Sequence, residues 1–255
     1  MRRSDKRKKI SPFTRMTSNL LFHTPMPKTQ HVFRNEYKYI LNRYEYEKYL
    51  NICKKYMEPD PYCDETGKYF ISSLYFDGIA DNDYFDKELG AFDRKKMRIR
   101  TYGYDYDWAH FEMKRKVDIW EYKDKVRLSR EEVKMISEGN FDPLLRKGTD
   151  EAVRFYVTLK EGVYRPRAIV EYERRAFILP FEDVRVTFDE DVRYTVSDFD
   201  LFKKKVMTPQ FPDGHVVFEI KYNETLPRWA KKMLSGAGLS NEAVSKYSMS
   251  RKNNI

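Results

Sequence analysis

The chain keeps writing strands with apolar side chains on one face and long charged side chains on the other. In Met97–Gly103, "MRIRTYG", Arg98 and Arg100 share one face and Met97 and Ile99 the other, because successive strand residues point to opposite sides. "FEMK" at Phe111–Lys114 and "FEIK" at Phe218–Lys221 repeat the pattern: Glu112 and Lys114 oppose Phe111 and Met113, and Glu219 and Lys221 oppose Phe218 and Ile220. Glu36 and Lys38 do the same against Tyr37 and Tyr39, and Arg185, Thr187 and Asp189 against Val184, Val186 and Phe188. In "AIVEYERRAF" both faces carry charge, with Arg174 on the side of Val170 and Tyr172. One such strand describes an antiparallel sheet with a wet face. A whole set of them describes something narrower.

The strands predicted from period-2 patterning are Phe33–Leu41, Tyr69–Phe76, Lys96–Tyr102, His110–Val117, Trp120–Leu128, Arg167–Phe177, Val184–Phe188, Arg193–Val196 and His215–Tyr222. Helices are predicted at Tyr44–Tyr56, Ser129–Ser137, Ala152–Lys160, Arg228–Leu234 and Asn241–Ser250. Ser129 and Glu132 have the spacing of a capping box. Helices with apolar stripes can cover the apolar sheet faces, which turns the charged faces inward. A sheet that closes in this way is an α+β, antiparallel β-barrel with a charged lumen and helices packed outside. Like charges ~4 Å apart repel by about 4 kcal/mol at an effective dielectric near 20, so an all-cation lumen calls for a polyanion. The interspersed Glu can pair with Lys or hold a hard divalent cation through carboxylate oxygen.

Composition removes several alternatives. The formal net charge is +9. Most of it sits in residues 1–30, where Arg2, Arg3, Lys6, Arg7, Lys8, Lys9, Arg15 and Lys28 face only Asp5. This segment reads as a disordered basic arm able to contact an acidic partner or a membrane surface, and residues 31–255 read as a single domain. The body lacks the basic excess of a nucleic-acid-binding slab. No apolar run approaches the ~18 residues of a membrane span, and no apolar segment of signal-peptide type follows the basic N-terminus. Cys53 and Cys63 form neither a disulfide framework nor a metal spacing, which fits a reducing, cytoplasmic compartment. His23, His31, His110 and His215 are scattered, against a zinc or His-triad enzyme.

In this order, "EYKYIL", "SSLYFDG", "MRIRTYG", "FEMKRK", "YKDKVRLS", "VEYERRAF", "VRVTFDEDV", "FEIKYNETLPRW" and "SKYSMS" resemble the catalytic domain of the vacuolar transporter chaperone (VTC) polyphosphate polymerases. That family is a branch of the triphosphate tunnel metalloenzymes, which include the CYTH phosphatases. The resemblance implies a tunnel in which Lys38, Arg98, Arg100, Lys114, Arg174, Arg185 and Lys221 act on phosphates. It implies further substrate contacts from Lys116, from Lys123 (for which Lys125 and Arg127 compete) and from Lys246 at a tunnel mouth. Glu219 is the implied ligand of Mn²⁺ or Mg²⁺, with Glu112 and Glu36 behind it. Trp229 reads as packing. Arg34 stands where the wider superfamily often has the first Glu of an ExExK strand, which favours the polymerase branch. The implied reaction is transfer of the ATP γ-phosphoryl group to inorganic polyphosphate. A triphosphate or tripolyphosphate hydrolase in the same tunnel and a non-catalytic polyphosphate-binding module are the alternatives.

Overall fold

The structure, a computed structural model, describes residues 35–252 except 119, 181–182, 213, 224 and 236–243. The predicted basic arm and Arg34 lie outside the described residues. The chain runs β1 (Asn35–Leu41), α1 (Arg43–Tyr56), β2 (Glu58–Pro59), β3 (Tyr69–Asp77), α2 (Asn82–Glu88), β4 (Asp93–Thr101), β5 (Trp108–Val117) and β6 (Trp120–Ser129). It continues through α3 (Arg130–Ser137), α4 (Asp142–Lys147), α5 (Asp150–Glu161), β7 (Arg165–Leu179), β8 (Val184–Thr195), β9 (Thr208–Pro209), β10 (Val216–Tyr222), α6 (Arg228–Ser235) and α7 (Lys246–Arg251).

All paired strands are antiparallel, in the order β1-β10-β8-β7-β3-β4-β5-β6, with β2 added to β7 and β9 to β8. Among the described residues no backbone pairing joins the two edge strands, β1 and β6. The sheet nevertheless curls into a tunnel. Lys114 on β5 acts electrostatically on Glu36 of β1, and Lys38 of β1 on Lys96 of β4, although most of the sheet separates these strands in hydrogen-bonding order.

Parity explains how the helices hold this curl. The outward residues Met97, Ile99, Phe111 and Met113 form one core with Val133, Ile136, Leu144, Phe155 and Leu159 of α3–α5. Phe155 stacks on Phe111 with ring centroids 4.6 Å apart. On the other outer face, Val184, Val186, Phe188, Phe218 and Ile220 pack against Tyr46, Tyr49, Leu50 and Cys53 of α1 and Ala230 of α6. Each large side chain buried in this way contributes about 1.5–3 kcal/mol. Capping boxes start α1 (Asn42 with Glu45) and α3 (Ser129 with Glu132). Trp229 packs against the α1 side, stacked on Tyr56 at 5.7 Å.

Three differences from the sequence expectation have physical causes. The two segments Val184–Phe188 and Arg193–Val196 belong to one strand, β8, up to Thr195. A register shift opposite Glu171/Glu173 and a left-handed Asp191 (φ 49°) reverse its inside–outside phase. Val184, Val186 and Phe188 thus face the outer helices, while Val192 and Tyr194 face inward. Two short helices, α2 and α4, went unseen because neither is long enough to show a stripe. The last helix covers Lys246–Arg251 rather than Asn241–Ser250, and residues 241–243 lie outside the described set. It also does not pack outside. Val244 and Tyr247 join Ile71, Tyr75, Val170, Tyr172 and Val217 on the inner face.

Candidate tunnel site

The inward side chains of β1, β10 and β8 build one wall. Lys38 pairs with Glu219 across β1 and β10, and Glu36 with Lys221. Lys38 Nζ contacts Glu36 and lies 3.6 Å from Glu219 Oε2; Lys221 Nζ contacts Glu219 and lies 3.8 Å from Glu36 Oε2. Each ammonium therefore serves both carboxylates. Burial works to raise the Glu219 pKa, but Lys221, Lys38, Arg174 and Lys246 together hold it well below the ordinary value. Glu36 is lowered too, with Lys38, Lys221 and Lys114 outweighing burial and Glu219. Lys38 is raised despite burial because Glu219 and Glu36 flank it, whereas burial and the neighbouring Arg174 push Lys221 down.

The tunnel floor comes from β7 and β8. Arg174 donates through Nε and Nη2 to both oxygens of Asp189, at 2.6 and 2.8 Å, and Lys246 Nζ of α7 reaches Asp189 Oδ2 at 2.5 Å. Asp189 is fully buried. Burial would raise its pKa, but Arg174 and Lys246 lower it. Tyr172 lies beneath both cations, 5.3 Å from Arg174 and 4.8 Å from Lys246. Lys246, expected at a tunnel mouth, is instead pinned inside by Asp189. Nearby, Arg185 donates to Asp60 Oδ2 at 2.7 Å and to the Tyr69 hydroxyl at 2.9 Å.

Strands β3, β4 and β5 supply the opposite wall. Arg98 donates to Glu112 Oε2 through Nε and Nη2, both at 2.8 Å, and to the Tyr75 hydroxyl at 3.4 Å. Burial opposes ionisation of Glu112, yet Arg98 and Arg100 bring its pKa down to about 2. Arg100 is buried and donates to Ser73 Oγ at 3.2 Å; Lys96 Nζ donates to Ser245 Oγ at 3.0 Å. Among the described residues neither Lys96 nor Arg100 ion-pairs with a carboxylate. Burial, then Lys38, Arg98 and Lys114, push Lys96 well below the ordinary lysine range. Burial would raise the Tyr75 phenol, but Arg98 and Arg100 lower it. Both shifts report a strongly positive field.

Lys114 belongs to this wall but is drawn toward β6, 2.6 Å from Glu121. Lys123 shares Glu121 at 3.2 Å and is 60% exposed. Lys116 forms no ion pair among the described residues. Lys116 and Lys123 thus sit toward the β6 edge rather than among the converging groups. Sequence reading passed over Lys96, Ser73, Tyr75, Asp60 and Tyr69, and assigned Asp189 no role. Lys96 was findable, because it shares the parity of Arg98 and Arg100; the others announce themselves only once the strands are paired and the walls assembled, Ser73 and Tyr75 through Arg100 and Arg98 opposite them on β4.

Among the described residues no three His, Cys, Asp or Glu side chains group as a cation cage. Glu36 and Glu219 do lie together, each touching the same two lysines. That donor set fits Mg²⁺ or Mn²⁺, which protein sites commonly hold by one or two carboxylates, with substrate phosphates and water completing the shell. Glu112 fits less well, since Arg98 occupies one of its oxygens.

The family model described as "VTC domain" matches residues 33–253. The chain belongs to the VTC domain family. Among solved structures it is similar to HpAC1 from Hippeastrum, described as a candidate adenylyl cyclase with a dominant triphosphatase activity. That likeness has a TM-score of 0.52 at 12% identity, over 86% of this chain and 96% of that one. A candidate adenylate cyclase from Bacillus halodurans gives a TM-score of 0.46 at 12% identity, over 84% and 95% of the two chains. At such identity the Hippeastrum likeness is one of fold, and that fold is the tunnel of this VTC domain. A search of curated proteins returns no match.

Proposed function

We propose that this VTC domain is a polyphosphate polymerase that transfers the γ-phosphoryl group of ATP to the end of an inorganic polyphosphate chain. The observation that carries the reading is the pair Lys96 and Arg100: basic side chains, Arg100 buried and Lys96 half-buried, in a positive lumen without a carboxylate partner among the described residues. A buried charge left uncompensated is costly, and a polyphosphate supplies the missing negative charge along its whole length.

Phosphoryl transfer asks a protein chiefly for positioning and charge stabilisation. Arg98, Arg100, Arg174 and Arg185 present guanidinium forks that suit phosphate oxygens, and Lys38, Lys114 and Lys221 act as point charges beside them. The terminal phosphate oxygen of the growing chain attacks the γ-phosphorus, the bond to the β–γ bridging oxygen breaks, and ADP leaves. Lys246 contributes from α7, and Lys116 and Lys123 contact phosphates farther out toward β6. A divalent cation on Glu219 and Glu36 would neutralise charge on the transferring group. Glu112 keeps Arg98 in place. Cys53 and Cys63, both free, suit a reducing compartment such as the cytoplasm. Among the described residues no helix is long and apolar enough to cross a membrane. The segment 1–30 would then serve as a basic arm for an acidic partner or a membrane surface, outside a tunnel domain of residues 31–255.

The test is incubation of the purified chain with ATP and Mn²⁺, followed by gel electrophoresis and phosphorus NMR. Phosphate chains that lengthen with time are the expected result. Orthophosphate and ADP without any phosphate chain would overturn polymerisation in favour of hydrolysis. No turnover, with strong stabilisation by tripolyphosphate, would leave a binding module. Glu219→Gln is expected to abolish the metal-dependent step.

A further inference from the structure

One end of the charged face is lined by aromatic rings. Tyr102 and Trp108 flank the β4–β5 turn, with centroids 6.4 Å apart, and Tyr106 meets Trp108 edge-on at 5.5 Å. Tyr69 lies 6.2 Å from Tyr102. The Arg127 guanidinium covers Trp108 at 4.7 Å, and the His110 ring meets Trp108 edge-on at 4.7 Å. Neither Tyr106 nor Trp108 belongs to a core cluster, and Tyr106 is 40% exposed. The turn is shaped for its ring: a Cβ on Gly103 would stand 3.0 Å from Tyr106 Cδ2.

This group sits in register with the phosphate-seeking residues. Arg100 pairs with His110, and Arg98 with Glu112, along the same two strands. Each of these steps spans about 7 Å, so Arg98 lies about 14 Å from the Tyr102–Trp108 level. That is the reach of an extended nucleoside triphosphate from its base inward. His110 Nδ1 lacks a hydrogen-bond partner among the described residues. The opposite end is taken by α7, where Tyr247 stacks on Tyr75 at 5.1 Å and bonds Asp77 at 2.6 Å.

We propose that Tyr102, Tyr106 and Trp108 form a nucleobase platform at the mouth facing away from α7. The purine of a nucleoside triphosphate stacks there, and its phosphates run inward past Arg100 to Arg98. Aromatic faces bind bases without reading their edges, so the platform favours nucleotides over bare phosphate chains but discriminates weakly between bases. The inference rests on the reading of the lumen as a phosphate tunnel, and it fixes the direction in which the donor lies.

Calorimetric titration of the full chain with the β,γ-imido analogue of ATP and with tripolyphosphate tests it. Trp108→Ala and the surface change Tyr106→Ala should each weaken the analogue about tenfold and leave tripolyphosphate within twofold. Trp108→Phe, which keeps a ring, should recover most of the loss. Equal losses for both ligands, or no loss for either while tripolyphosphate still binds, would overturn the platform. Failure of tripolyphosphate to bind the wild-type chain would remove the phosphate tunnel itself, and the platform with it.

Discussion

Asp189→Asn is the sharpest perturbation of the lumen. The wild-type carboxylate is fully buried, accepts both arms of Arg174 at 2.6 and 2.8 Å and holds Lys246 at 2.5 Å. Asn keeps the shape and removes the charge, leaving two cations beside each other around a neutral amide. Breaking a buried pair from one side costs about 3–5 kcal/mol. At about 2–4 °C per kcal/mol for a domain of this size, the melting temperature should fall by about 6–20 °C. A polyanion narrows the difference. In the wild type, phosphate oxygens compete with Asp189 for Arg174 and Lys246; in the variant those cations are vacant and repel. Tripolyphosphate should therefore raise the melting temperature of Asp189→Asn by more than that of the wild type, closing much of the gap. Differential scanning fluorimetry across a tripolyphosphate series measures both effects. A variant as stable as the wild type without ligand, or a smaller ligand-induced rise, would refute the account of Asp189 as an internal stand-in for phosphate.

Arg100→Ala should behave in the opposite way. Its guanidinium donates only to Ser73 Oγ among the described residues, so calorimetry should show tripolyphosphate weakened at least tenfold with little loss of unfolding free energy. Glu112 predicts an acid limb. Its folded pKa of about 2 lies below the ordinary 4.5, so its contribution is present above about pH 4.5 and lost as pH falls toward 2. The shift corresponds to at most about 3 kcal/mol, and urea unfolding at pH 6 and pH 3 should show Glu112→Gln losing that sensitivity.

Much of the tunnel was legible because side-chain parity is a local property. Arg98 and Arg100 must share a face whatever the fold, and the stripes of α1 and α5 show which face is covered. Parity misled only where the backbone breaks it: the left-handed Asp191 splits β8 into two apparent strands. What a residue faces across the lumen is not local at all. Asp189 looks like one acid among several in "VTFDED", and its link to Arg174 and Lys246 appears only after β7 and α7 are folded against β8. The inward placement of α7 was hidden for the same reason. "SKYSMS" reads as part of a helix, and nothing in it says that Tyr247 will stack on Tyr75.

Among the described residues the edges of β1 and β6 are not joined, and this has a mechanical consequence. In a barrel sealed by hydrogen bonds, bore is fixed by strand number and stagger. Here the two rims can part without breaking a ladder, so the gauge of the passage depends on the outer helices that hold the curl and on the charge balance between facing walls. On the polymerase reading proposed above, a phosphate chain in the lumen would draw Lys38, Lys96 and Lys114 inward, and its departure would let them part. Cargo and conduit would thereby tune one another, like a drawstring tightened by whatever passes through it.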